Sequence, residues 1–265
     1  MITVNIDPVL LHMGHFALRW YGLIVATAIA VGIAVALREA KRKGLSDSQF
    51  ADAIPWVIVG GLLGARLFHV IDHWPDEYAV NPIRALYVWE GGLAIWGGVI
   101  GGLTALALFA WRRGLRLAVL LDTAVPGLVL GQAIGRIACV ITGDAIGKAT
   151  TGPFGLAYSN SGAMVPQLGV YYTPTPVYEI LMNLTIFAVV WRLRKRSLPD
   201  GALFLVYLVL YSIGRFVITF WSAYKIIALG FNQAQWISLA GLVVGIPALV
   251  YLLWRQGDTR AAATG

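Results

Sequence analysis

Apolar runs of about twenty residues recur along this chain, and they exclude most folds at once. GLIVATAIAVGIAVAL (Gly22–Leu37) and ALFLVYLVLYSIG (Ala202–Gly214) are the uninterrupted centres of two of them. Runs of that length match a hydrocarbon core of about 30 Å at 1.5 Å of helix per residue. The pattern predicts seven membrane spans, at roughly 17–38, 51–71, 92–111, 117–138, 176–193, 201–221 and 235–254. Composition agrees, with 58% hydrophobic and 12% charged residues and a mean hydropathy of +0.74. Soluble domains carry about 25% charged residues. The expected fold is all-α, a single polytopic membrane domain over 1–265.

The net charge of +7 is distributed by topology, not as a nucleic-acid surface. Arg38, Lys41, Arg42 and Lys43 follow the first run, Arg112, Arg113 and Arg116 the third, Arg192, Arg194, Lys195 and Arg196 the fifth, and Arg255 and Arg260 the last. The alternate loops hold Arg84, Lys148 and Lys225. Cytoplasmic loops carry the excess of basic residues, so the N-terminus is expected outside and the C-terminus in the cytoplasm. The opening MITVNIDPVLLHMGHFALRW lacks a basic, apolar and cleavage-site succession, so no removable signal is expected. With Cys139 as its one cysteine the chain forms no internal disulfide. The longest outer loop, 139–175, contains TGPFG, YSNSG and YYTPTP and reads as a small irregular extracytoplasmic head.

Four of the twenty basic residues remain: Arg19, Arg66, Arg136 and Arg215. Each falls within or at the lip of a span, in its outer half. An arginine inside a bilayer costs several kcal/mol unless it is paired or hydrated. Candidate acids on that side are Asp72, Glu90, Asp144 and Glu179. Snorkelling or structural pairing would account for one such arginine. Four at one level point instead to a cationic cavity, since a guanidinium binds phosphate oxygens through a planar fork. A phospholipid headgroup lies near that depth. Glycines spaced four apart at Gly60/Gly64, Gly97/Gly101 and Gly131/Gly135 allow close helix packing. Next to Arg136, glycine also leaves room for a ligand.

Several short stretches, taken in order, resemble the bacterial prolipoprotein diacylglyceryl transferases. They are RWYG (Arg19–Gly22), GARL (Gly64–Leu67), WEGGLAIWGG (Trp89–Gly98), GRIACVITGD (Gly135–Asp144), PVYE (Pro176–Glu179), GRF (Gly214–Phe216) and LGFNQAQWISL (Leu229–Leu239). The resemblance covers nearly the whole chain. It implies a seven-span enzyme of the bacterial inner membrane whose active site faces the extracytoplasmic side. Such enzymes move a diacylglyceryl group from phosphatidylglycerol to a lipobox cysteine thiol of a prolipoprotein precursor, with no cofactor. By that resemblance Arg136, Arg215, Asp144 and Tyr21 are the expected catalytic residues. Arg136, Arg66, Arg215, Gly143 and Glu179 are the expected lipid-binding residues.

The sequence departs from the family pattern at polar positions. Where that pattern reads GRxxNFINGE, this chain has Cys139 and Thr142 for the two asparagines and Asp144 for the glutamate. Trp96 replaces the histidine of an HGG motif, and Thr219 replaces the glutamate of RFxxE. The groups that hold an anion are kept and the acid–base groups differ. The base for the thiol is open among Asp144, Glu179, His69 and His73. The two histidines, one helical turn apart around Asp72, are not expected to hold a metal. Two other functions fit a basic intramembrane pocket: a relative that binds the lipid and passes its group to another acceptor or to none, and an anion transporter. The absence of an evident repeat argues against transport.

Overall fold

A computed structural model describes residues 1–13, 16–88 and 91–264. Eight α-helices are described: α1 (Trp20–Arg42), α2 (Asp47–Ala51), α3 (Ala53–Asp72), α4 (Ile95–Arg112), α5 (Leu117–Thr142), α6 (Thr175–Leu193), α7 (Ala202–Ile218) and α8 (Gln233–Thr264). Among the described residues six helical segments are long and apolar enough to cross a membrane, and α7 is a shorter apolar helix. The chain is an all-α, multi-pass membrane protein, as its apolar runs predict. Helix is the form these runs take because each peptide group then satisfies its neighbour four residues on, where no water can. Helix ends differ from the predicted ones by a few residues. α5 continues to Thr142, which places Arg136 well inside the helix.

Two compact units are present, residues 1–36 with 124–265, and residues 37–123. In the smaller one, α3 and α4 lie backbone to backbone. Gly64 faces Gly97 and Gly101, and Gly60 faces Gly101, so closely that a methyl group at any of the four would overlap the opposite helix. This is the close approach that small residues four apart permit.

In the larger unit, Gly32 of α1 and Gly127 of α5 meet in the same way. α5, α6 and α7 enclose an apolar cluster of Val125, Val129, Ile186, Val190, Leu203 and Tyr207. The segment between α5 and α6 is more ordered than its turn-rich sequence indicates. β1 (Ile2–Val4) pairs in parallel with β4 (Leu156–Tyr158), and single bridges tie Tyr172 to Ala149 and Leu156. β2 (Val9–Met13) pairs antiparallel with β3 (Phe16–Arg19) just before α1. β5 (Ile226–Ala228) and β6 (Phe231–Asn232) form a further hairpin between α7 and α8. The β1–β4 pairing joins residues more than 150 positions apart, and no local period signals it.

Ile146, Leu156, Tyr158 and Tyr172 form the core of the head. Tyr158 is buried, and its hydroxyl donates to the Val140 carbonyl at 2.7 Å. Burial, which disfavours the phenolate, pushes its pKa from 10.0 up to about 12. A raised folded pKa gives stability that is whole below pH 10.0 and is lost as pH rises towards 12. Tyr158→Phe is expected to remove that alkaline slope and to lower stability by about 1 kcal/mol through the lost hydrogen bond. Thermal unfolding of both proteins in detergent at pH 8 and pH 11 checks it.

Candidate active site

Three neighbouring helices each contribute one charged side chain to a single cluster. Arg136 comes from α5, Glu179 from the second turn of α6 and Arg215 from the last turn of α7. Glu179 bridges the two arginines: Arg136 Nε donates to its Oε2 and Arg215 Nη1 to its Oε1. Its side chain is 3% exposed, against 25% for Arg136 and 13% for Arg215. A cation in the last turn of α7 also suits its helix dipole.

The charge balance of this cluster decides what it can do. The three ion-paired groups by themselves, two guanidiniums and one carboxylate, carry a net charge of +1. A buried charge without a partner is expensive, and a monoanion such as a phosphodiester cancels this one. Arg136 is the more exposed of the pair, and its Nη1 points at the Cys139 sulfur, a weak acceptor, at 3.8 Å. Beside it, a side chain on Gly135 would meet no other atom within 4 Å. Packing therefore does not require glycine at that position.

Around this cluster lie several other residues singled out from the sequence. Tyr21, half-exposed in the first turn of α1, is within electrostatic reach of Arg136, Cys139 and Asp144. Asp144 is partly buried just past the end of α5. Gly143 caps α5 with φ +75°, and its N–H donates to the Cys139 carbonyl at 3.0 Å. A Cβ there would lie 2.7 Å from Val165 and 3.4 Å from the Tyr158 ring. Left-handed backbone and tight packing therefore both require glycine at 143.

Two of the substituted polar positions are occupied by self-satisfied groups. The Thr142 hydroxyl donates to the Ala138 carbonyl, and the Thr219 hydroxyl to the carbonyls of Arg215 and Phe216. Both threonines are buried. They complete their own helices and carry no charge into the site.

Arg66 has a different environment, in the smaller unit. Its five N–H groups all meet carbonyl oxygens: Ala85 at 2.9 Å, Gly91 at 2.6 Å, Gly92 at 3.1 Å, Arg84 at 2.6 Å and Tyr87 at 3.3 Å. No donor is left for the phosphate that the sequence assigned to it. Its partners are 18 to 26 residues away along the chain, which is why sequence inspection cannot find them. His69 and His73 stack with ring centres 4.2 Å apart, and Asp72 lies 3.5 Å from His73. Trp96 is partly buried in the first turn of α4. Arg19 ends β3 and is exposed. Glu90, another candidate acid, lies outside the described residues, as does Trp89.

Two further tyrosines adjoin the cluster. Tyr224, in the loop after α7, accepts a hydrogen bond from Arg215 Nη2 at 3.0 Å. No period marks a loop tyrosine. Tyr211 adjoins Arg136 from one turn below Arg215 on α7. Its spacing of four from Arg215 is a signal that could have identified it.

Comparison with known proteins agrees with this arrangement. The profile of the family described as Prolipoprotein diacylglyceryl transferase matches residues 8–251. Three relatives bear the name phosphatidylglycerol–prolipoprotein diacylglyceryl transferase. That of Trichormus variabilis is 35% identical over 257 residues, covering 94% of this chain and 90% of its own. That of Shouchella clausii is 37% identical over 254 residues, covering 94% and 91%. That of Dehalococcoides mccartyi is 35% identical over 260 residues, covering 98% of each. With matches of this extent, and with Arg136, Glu179 and Arg215 gathered on adjacent helices, the chain belongs to the prolipoprotein diacylglyceryl transferase family.

Proposed function

We propose that this chain transfers the diacylglyceryl group of phosphatidylglycerol to the thiol of a lipobox cysteine in a prolipoprotein precursor. The observation that carries the reading is the Arg136–Glu179–Arg215 cluster, whose single surplus positive charge matches one phosphodiester. The enzyme acts in the bacterial inner membrane, and its site opens to the extracytoplasmic side. The basic loops on the opposite side support that orientation. Residues 139–175 then form an extracytoplasmic head within one membrane domain.

The peptide thiolate attacks the glycerol carbon that carries the phosphate. A C–S bond forms, the C–O bond breaks, and glycerol phosphate departs with the electron pair. The leaving phosphate gains one negative charge in that step. Arg136 and Arg215 face that charge as it develops, which is where fixed cations lower a barrier most. Glu179 has both oxygens in ion pairs, so it aligns the arginines and does not take the proton. Asp144, near Cys139 and Tyr21, takes the proton from the incoming thiol. Tyr21 steadies the headgroup. Gly143 shapes the backbone next to Asp144, and Arg66 ties residues 84–87 to Gly91 and Gly92 through their carbonyls.

The test is transfer by the purified protein from phosphatidylglycerol to a lipobox peptide, read by mass spectrometry. The expected product is a thioether adduct that carries the diacylglyceryl mass. Bound lipid with an unmodified peptide would leave a lipid-binding relative without transfer.

A further inference from the structure

The loop between α7 and α8 brings one aromatic hydroxyl to the arginine cluster, and its chemistry is only half used. Tyr224 lies six residues past the end of α7. Its oxygen accepts from Arg215 Nη2 at 3.0 Å, and the Arg215 guanidinium carbon lies 5.5 Å from the centre of its ring. The phenol is 42% exposed. Its own proton has no acceptor among the described residues. Ile226, Ile227 and Leu229 of the following hairpin are all strongly exposed. Exposed apolar side chains beside an exposed tyrosine, in a short loop at a helix end, are the composition of a membrane–water interface.

A phospholipid held at Arg136 and Arg215 keeps its acyl chains along the apolar helices. Arg215 stands in the last turn of α7 and Tyr224 in the loop just beyond it, so Tyr224 borders the phosphate position on the side past the helix end. We propose that Tyr224 is a specificity-determining residue that reads a hydroxyl-bearing headgroup beyond the phosphate. Its oxygen is oriented by Arg215, and its O–H is left to donate to a headgroup hydroxyl. This rests on the lipid-transfer reading above only in taking a phospholipid as the ligand. A charge-matched lipid with a hydroxyl-free headgroup would gain nothing from Tyr224.

The comparison is between the full-length protein and Tyr224→Phe, which keeps the ring and removes the hydroxyl. Phosphatidylglycerol and phosphatidylethanol, both monoanionic phosphodiesters, compete for the purified protein in detergent. Occupancy is read by native mass spectrometry. The wild-type protein is expected to prefer phosphatidylglycerol by about three- to tenfold, the scale of one hydrogen bond. Tyr224→Phe is expected to bring that ratio close to one while phosphatidylethanol binding stays within about twofold. An equal loss for both lipids would reduce Tyr224 to a support for Arg215 and overturn the proposal. A preference that survives the substitution, or one absent from the wild type, would overturn it as well. Because the readout is binding, it stands apart from the transfer assay. A protein that shows the selectivity change without modifying a peptide would fail the function and keep this inference.

Discussion

Arg136→Ala is expected to lower transfer from phosphatidylglycerol by a factor of about 100 to 1,000, the range for loss of one group that faces developing charge. Two effects act together. The leaving phosphate loses a guanidinium, and buried Glu179 loses one of its two cationic partners. The remaining cluster of Glu179 and Arg215 has no surplus charge, so lipid binding falls too. Arg136→Lys restores the charge without the planar fork and is expected to recover activity only in part. Initial rates across phosphatidylglycerol concentrations, with lipid occupancy measured on the same samples, check the result. Wild-type binding by Arg136→Ala would remove this arginine from the phosphate site.

Glu179→Gln is expected to act first on stability. The substitution keeps the side-chain shape but turns one anion shared by two cations into a neutral amide. Arg136 and Arg215 then face each other uncompensated in a buried setting. Removing one partner of a buried ion pair costs about 3–5 kcal/mol. The thermal unfolding midpoint in detergent should fall clearly, and added monoanionic phospholipid should restore part of the loss by supplying the missing charge. Combining Glu179→Gln with Arg136→Gln should cost less than the sum of the two, because the second change relieves the repulsion left by the first. A variant with unchanged melting and abolished transfer would instead make Glu179 the proton acceptor.

Much of the fold is legible in the sequence, because membrane helices are encoded locally. Gly22–Leu37 is apolar at every position but Thr27, and α1 forms over it. The four-residue glycine spacing signals close contact, and α3 and α4 meet at those glycines. The strand pairs are different. β1 and β4 are three residues each and join Ile2 to Leu156, with no repeat long enough to register. Their order comes from the shared head core around Tyr158 and Tyr172.

The site divides along the same line. Arg136, Glu179 and Arg215 stand out because charge inside an apolar run is costly, so each demands a partner. Which charge meets which is a tertiary matter. Arg66 stands out equally in sequence, yet its five donors are taken by carbonyls of a loop. Depth along a helix can be counted from the sequence, but the direction in which a guanidinium points and the backbone it meets cannot. Tyr224 lies outside every span and acquires significance only when Arg215 reaches it.

The sequence by itself determined the class of the protein, its helical runs and the arginines that required an explanation, since transfer into lipid depends on local composition. The tertiary structure alone decided that two arginines share Glu179, that Arg66 serves a loop, and that Tyr224 faces the cluster. Those outcomes depend on short-range electrostatic and hydrogen-bond contacts between segments far apart in the chain.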